Sequence, residues 1–203
     1  MLLCMRQKFN IHYSSTFRPY LNCLEHDDKY LITALKKDNI RPPSTQPYNF
    51  SQTNEEDLLF GQFGQPLYLD SVIFKKQVTD GFFIEAGADD FETDSNTLFF
   101  EMKRGWTGLL VEPNPVIFPK GVLKHRKAWS SPSCLATTNK PHTVQFAQRL
   151  FEGGMAAIAP EKTEDTYDLQ CFPLYSLLLA SAGHVTVNYL SLDIEGAEFL
   201  VNI

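Results

Sequence analysis

Short apolar blocks alternate with polar turns along the chain, and they predict strands and helices in a regular order. Phe82, Phe83 and Ile84 make an aromatic and β-branched run of the kind carried by a strand buried on both faces. The run stops at Glu85 and Gly87, so the first strand is expected over Gly81 to Glu85. A glycine just past a strand end lets the backbone turn sharply and approach a ligand. Asp89, Asp90, Thr93, Asp94 and Ser95 then offer caps and negative charge to a following helix. From Asn96 to Arg104, Leu98, Phe99 and Met102 recur at helical spacing, Lys103 and Arg104 suit the last turn, and Gly105 is a natural stop. A second apolar strand over Thr107 to Glu112 ends in an acid. Further strand signals fall near Lys127 to Trp129, over Thr143 to Phe146 and over Val187 to Asp193.

Residues 1–79 read as an extension ahead of a domain spanning 80–203. Within the extension, Leu31, Ile32 and Leu35 recur at packing spacing on a helix expected from Asp27 to Lys37. That helix docks on the sheet as a lid or brace, or else stands as a solvated arm. The Pro-rich stretch Arg41 to Pro47 must be extended. Asn54, Glu55, Glu56 and Asp57 read as an acidic loop, and Leu67 to Lys76 as the helix preceding the first strand. Between Ser130 and Lys162, Ser, Thr, Pro and Gly suggest loops around a hairpin strand at Thr143. No internal repeat is visible.

Two parallel strands joined by one helix cross over right-handedly, which brings their ends to one edge of the sheet and gathers Glu85, Gly87 and Glu112. Ligands of open α/β sheets sit outside the carboxyl ends of the strands, and an acid closing the second strand suits ribose hydroxyls. A pyrophosphate would meet Asp89 and Asp90 with like-charge repulsion, whereas a nucleoside carrying a sulfonium and an ammonium would not. S-adenosylmethionine fits that description. The plainer alternative makes Glu112 a solvated strand end and Gly87 an ordinary turn. Near the C-terminus, a strand continued through Asp193 and Glu195 would point both acids to one face, where they share a ligand or a metal. The alternative there is a strand end followed by a capped helix that includes Glu198.

Glu85-Ala86-Gly87-Ala88 followed by Ser95-Asn96-Thr97, then Trp106 to Pro115, then Leu192 to Glu198, resemble the FkbM-type methyltransferase domain, and within it the animal Star-like branch. Arg41 to Thr45, Pro47-Tyr48-Asn49, Arg126 to Trp129 and Cys171 to Leu178 extend the likeness to nearly everything after about residue 40. The resemblance implies an α/β, Rossmann-like S-adenosylmethionine methyltransferase fold and transfer to a hydroxyl oxygen. It implies that Glu85, Gly87 and Ala88 border the methionine part of the cofactor and that Glu112 holds the ribose. Ala86, Asp89, Asn96, Pro113, Asn114 and Asp193 complete that site. Asp193 and Glu195 fall at the rim where the acceptor enters, with Asp193 placed to take the hydroxyl proton. The implied acceptor is a small molecule or a glycan. A Star-like protein would instead be non-catalytic, a single-pass membrane protein of the endoplasmic reticulum and Golgi handling membrane-protein cargo.

Phe91 stands where the family carries a small glycine, so its ring is expected to push the turn outward or fill the cofactor space, which would leave a degenerate enzyme. The family's sheets continue past the strand at Asp193, and the chain stops at Ile203. A fragment with an unpaired apolar edge is therefore expected.

Composition adds exclusions. A formal charge of -6 argues against a nucleic-acid partner, which wants a basic patch. Cys4, Cys23, Cys134 and Cys171 have no paired metal-ligand spacing and are expected as free thiols, and the five histidines are equally scattered. No stretch approaches the roughly 18 apolar residues of a membrane span. Met1 to Met5, broken by Arg6, is too short for a signal-peptide core, so a soluble, cytoplasmic chain is the expectation as the sequence stands. Asn49-Phe50-Ser51 is a glycosylation acceptor pattern, of consequence only in a lumenal protein.

Overall fold

The computed structural model of the chain describes residues 19–148, 156–158 and 166–201. Strands β1 (Phe82–Ala86), β2 (Thr107–Val111), β3 (Trp129–Ser131) and β8 (Tyr189–Leu192) form an all-parallel sheet in the order β3-β2-β1-β8. The register runs from Phe82 opposite Thr107 to Ala86 opposite Val111, and β8 lies on the other side of β1 with Phe83 opposite Tyr189. β1 is central, and every one of its residues is buried.

Alternation along β1 and β2 divides the interior into two layers. Phe82, Ile84, Ala86, Leu109 and Val111 enter one core with Leu31 and Leu35 of α1 (Lys29–Asp38) and Leu174 and Leu177 of α6 (Leu174–Ser181). Phe83 and Leu110 enter the other, with Leu98, Phe99 and Phe100 of α4 (Leu98–Arg104), Trp106, and Phe118 of α5 (Phe118–Val122). The result is the Rossmann-like α/β sandwich expected from the strand and helix order. It also decides the role of α1, which is a brace on the sheet: Asp28 caps it, accepting from the Tyr30 N–H at 2.7 Å, and Leu31 and Leu35 are fully covered. The Pro-rich segment then runs along the outer edge of β3, where Arg41 and Ser130 exchange backbone hydrogen bonds of 2.8 and 3.0 Å.

Several expectations are corrected. Residues 54–57 are not a loop: Asn54 caps α2 (Glu55–Phe60) by accepting from the Glu56 N–H, and the acids fill its first turn, where the helix dipole favours them. The helix before β1 begins earlier, as α3 (Gln65–Tyr68), and runs into a π turn over Leu69–Ile73 that ends short of Lys75 and Lys76. β3 lies two residues later than its signal, and β8 stops at Leu192. The region read as loops around one hairpin strand contains a second, mixed sheet. Its order is β4 (Cys134–Leu135), β7 (Thr166–Phe172), β5 (His142–Gln148) and β6 (Ala156–Ile158). β5 pairs antiparallel with β7 and with β6, while β4 pairs parallel with β7. The thiols are not free. Cys134 and Cys171, opposite one another in the β4–β7 ladder, form a disulfide, and Cys23 is disulfide-bonded as well.

Phe91 neither pushes its turn outward nor occupies the space at the strand ends. A left-handed backbone, φ 66°, sends its ring into the second core, edge-on to Phe118 at 5.7 Å and over Gly121. We expect Phe91→Leu to cost about 1–2 kcal/mol in urea denaturation, as lost packing and a lost aromatic pair, without altering ligand affinity. No helix among the described residues is long and apolar enough to cross a membrane.

Candidate functional site

The carboxyl ends of β1, β2 and β8 open on a cavity of about 230 Å³. Gly87 makes the first turn, at φ 80°, and donates its N–H to the Val111 carbonyl at 3.0 Å. A Cβ on Gly87 would lie 1.8 Å from the Asp193 carbonyl oxygen, so the turns after β1 and β8 are in direct backbone contact. The Asp193 N–H in turn donates to the Ala86 carbonyl at 2.9 Å.

Glu85, the penultimate residue of β1, is buried and holds the following loop. One carboxylate oxygen accepts from the Asn96 N–H at 2.6 Å, the other from Ser95 Oγ at 2.8 Å and Thr97 Oγ1 at 2.6 Å. Arg126 closes the network from behind, donating to Glu101 at 2.8 Å, the Phe91 carbonyl at 2.6 Å, and the Ser95 and Thr97 hydroxyls, both at 3.1 Å. Burial raises the Glu85 pKa, while Arg126 and these donors work against that rise. The Asn96 side chain accepts from the Gln62 N–H and donates to Ser191 Oγ, tying the segment before α3 to β8.

Glu112, the residue after β2, is its counterpart. Its oxygens accept from the Asp89 N–H at 3.0 Å and the Asn114 N–H at 2.7 Å. Burial pushes its carboxyl up to about 7, against those two bonds, which favour the charged form. A carboxyl raised on folding stabilises fully below its unfolded value of 4.5, and that stabilisation is lost as pH climbs through about 7. The free protein should therefore lose Tm across that interval. Glu112→Gln should flatten the slope, as read by scanning fluorimetry at stepped pH.

All but one of the residues singled out from sequence line this cavity: Glu85, Ala86, Gly87, Ala88, Asp89, Asn96, Glu112, Pro113, Asp193 and Glu195. Asn114 does not. Its Oδ1 accepts from the Val116 and Ile117 N–H groups and so shapes the loop after β2. Asp193 and Glu195 do not share a strand face, because β8 ends before them and Glu195 sits in a turn at φ 60°. Glu198 caps that turn, accepting from the Ile194 and Gly196 N–H groups, and no helix follows among the described residues. Nor do the described residues contain a cluster of His, Cys, Asp or Glu able to hold a metal ion.

Sequence reasoning missed one whole wall, Ser133, Cys134, Leu135 and Phe146, contributed by the second sheet and the segment leading into it. It also missed Gln62, whose amide lies 3.5 Å from Asp193 Oδ2. The charge of the lining is one-sided. Glu85, Asp89, Asp94, Glu112, Asp193 and Glu195 face the cavity, and no Lys, Arg or His among the described residues joins them. Such a wall attracts a cation and repels a phosphate.

A family model described as the methyltransferase FkbM domain matches residues 85–201, from Glu85 in β1 to the turn after β8. No curated protein and no solved structure matches the chain.

Proposed function

The chain belongs to the FkbM methyltransferase family, and from that premise we propose that it transfers a methyl group from S-adenosylmethionine to a hydroxyl oxygen of a small molecule or glycan. The lining's ionisable side chains, all of them acids, carry this reading. A sulfonium and an ammonium are favoured there, and the pyrophosphate of a dinucleotide is not. Glu112 would hold the ribose hydroxyls, with Pro113 and Asn114 fixing its loop. Glu85, Ala86, Gly87, Ala88, Asp89 and Asn96 would border the methionine end.

S-adenosylmethionine supplies an activated methyl group when bound, so the chain's own task is alignment, which is worth roughly 7–11 kcal/mol where it is exact. Asp193 stands where the cavity meets a groove along β8 lined by Gln62, Phe63, Gln65, Tyr68 and Tyr189. An acceptor lying in that groove would present its hydroxyl to Asp193, which takes the proton, with Glu195 beside it at the rim. Asp193→Asn should lower methyl transfer on the order of a hundredfold while leaving S-adenosylmethionine affinity within a fewfold. Formation of S-adenosylhomocysteine over a panel of hydroxyl compounds, beside calorimetry, reads both. Equal loss of binding and transfer would remove Asp193 from the chemistry.

One observation favours a second reading, a non-catalytic Star-like protein that moves membrane-protein cargo through the secretory pathway. Disulfides such as Cys134–Cys171 persist in oxidising compartments. On that reading a transfer-dead Asp193→Asn chain still supports cargo export, and loss of export with that variant would discard it.

A further inference from the structure

Two independent features bear on where this chain matures. The first is the disulfide chemistry: Cys134–Cys171 joins strands of the second sheet, Cys171 is fully buried, Cys23 is bonded as well, and no cysteine among the described residues is free. Bonds of this kind form where the surroundings are oxidising.

The second is the segment between Arg41 and α2, which carries neither helix nor strand after its bridge to β3. Phe50 turns inward against the second core and stacks on Tyr48 at 5.1 Å, while Asn49 and Ser51 on either side of it are exposed. Those two residues are the amide and the hydroxyl of an Asn-X-Ser acceptor pattern, with a residue other than proline between them. The Asn49 Nδ2 group donates to the Leu123 carbonyl at 3.0 Å, and its backbone N–H to the Lys124 carbonyl at 3.1 Å. A glycosylated amide keeps one N–H, so the bond to Leu123 survives modification.

We propose that Asn49 carries an N-linked glycan, attached in the oxidising lumen in which the disulfides form. In the attachment, Asn49 Nδ2 bonds to the anomeric carbon of an oligosaccharide carried on a lipid diphosphate. The bond from that carbon to the diphosphate breaks, the diphosphate leaves with its electron pair, and the amide gives up one of its two protons. The glycan projects to solvent beside the turn that follows α5, and neither Asn49 nor Ser51 lines the cavity at the strand ends. This holds whether or not the chain transfers methyl groups.

The full product of the native transcript, expressed in eukaryotic cells and digested with a glycan-releasing amidase, provides the test. Increased gel mobility and conversion of Asn49 to aspartate in the peptide mass spectrum are expected. Ser51→Ala should abolish the shift, and Ser51→Thr should retain it, which separates acceptor chemistry from a folding defect. Cys134 and Cys171 should resist alkylation until reduced. Recovery of unmodified Asn49 would overturn the proposal, and so would free thiols at Cys134 and Cys171.

Discussion

Gly87→Ala should destabilise the domain by at least about 3 kcal/mol and eliminate ligand binding at the strand ends. Two costs coincide. The backbone sits at φ 80°, where an L side chain is strained by roughly 1–2 kcal/mol. The added methyl would also lie 1.8 Å from a backbone oxygen of Asp193, which cannot swing aside as a side-chain tip would. Relief requires the turns after β1 and β8 to separate, breaking the Asp193 N–H bond to Ala86 and opening the cavity. Gly183 provides the control. It has nearly the same φ, 77°, and nothing within 4 Å of a built Cβ. Gly183→Ala should therefore show the strain alone, about 1 kcal/mol in urea denaturation. Similar losses for both variants would mean that contact with Asp193 contributes nothing.

Arg126→Ala should cost about 3–5 kcal/mol, because it strands Glu101 as an uncompensated buried carboxylate and unties the loop that carries Ser95 and Thr97. Both partners of the pair are almost entirely buried, at 2% and 1% side-chain exposure, so screening by water is slight. Loss of the Arg126 charge also lets the Glu85 pKa rise further, so the carboxylate at the end of β1 is less readily charged. Glu101→Ala should be similarly damaging. The double variant should cost clearly less than the sum of the two, as each single change leaves a charge without its partner. Additive losses in a double-mutant cycle would show that the two do not act as one unit.

How legible each part was depended on how local its cause is. β1 and β2 are buried on both faces or nearly so and β8 is half-buried, yet all three write themselves as apolar runs followed by acids; Glu85, Glu112 and Asp193 could therefore be placed at one rim. The strand signal at Thr143 to Phe146 did mark β5, but β7 mixes polar with apolar residues and takes its partners from residues nineteen or more positions away, so nothing in β7 alone announces a strand. With the partners of that strand unseen, the wall of Ser133, Cys134, Leu135 and Phe146 was invisible, as was the disulfide between two cysteines 37 residues apart. Phe91 was misjudged for another reason. Its identity suggested obstruction, but a positive φ directs the ring, and a lone sequence does not show which non-glycine residues adopt one. Asn54 and its acids failed similarly, since a cap with charges suited to the helix dipole has the composition of a loop.

The central claim is that a cationic nucleoside fills a cavity walled by carboxylates. It is met most directly by calorimetric titration of the folded chain with S-adenosylmethionine and, separately, with NAD, between pH 6 and pH 8. Micromolar S-adenosylmethionine binding is expected, tightening as pH rises through about 7, where Glu112 becomes a full acceptor, with no heat from NAD. Binding of NAD with none of S-adenosylmethionine would contradict it.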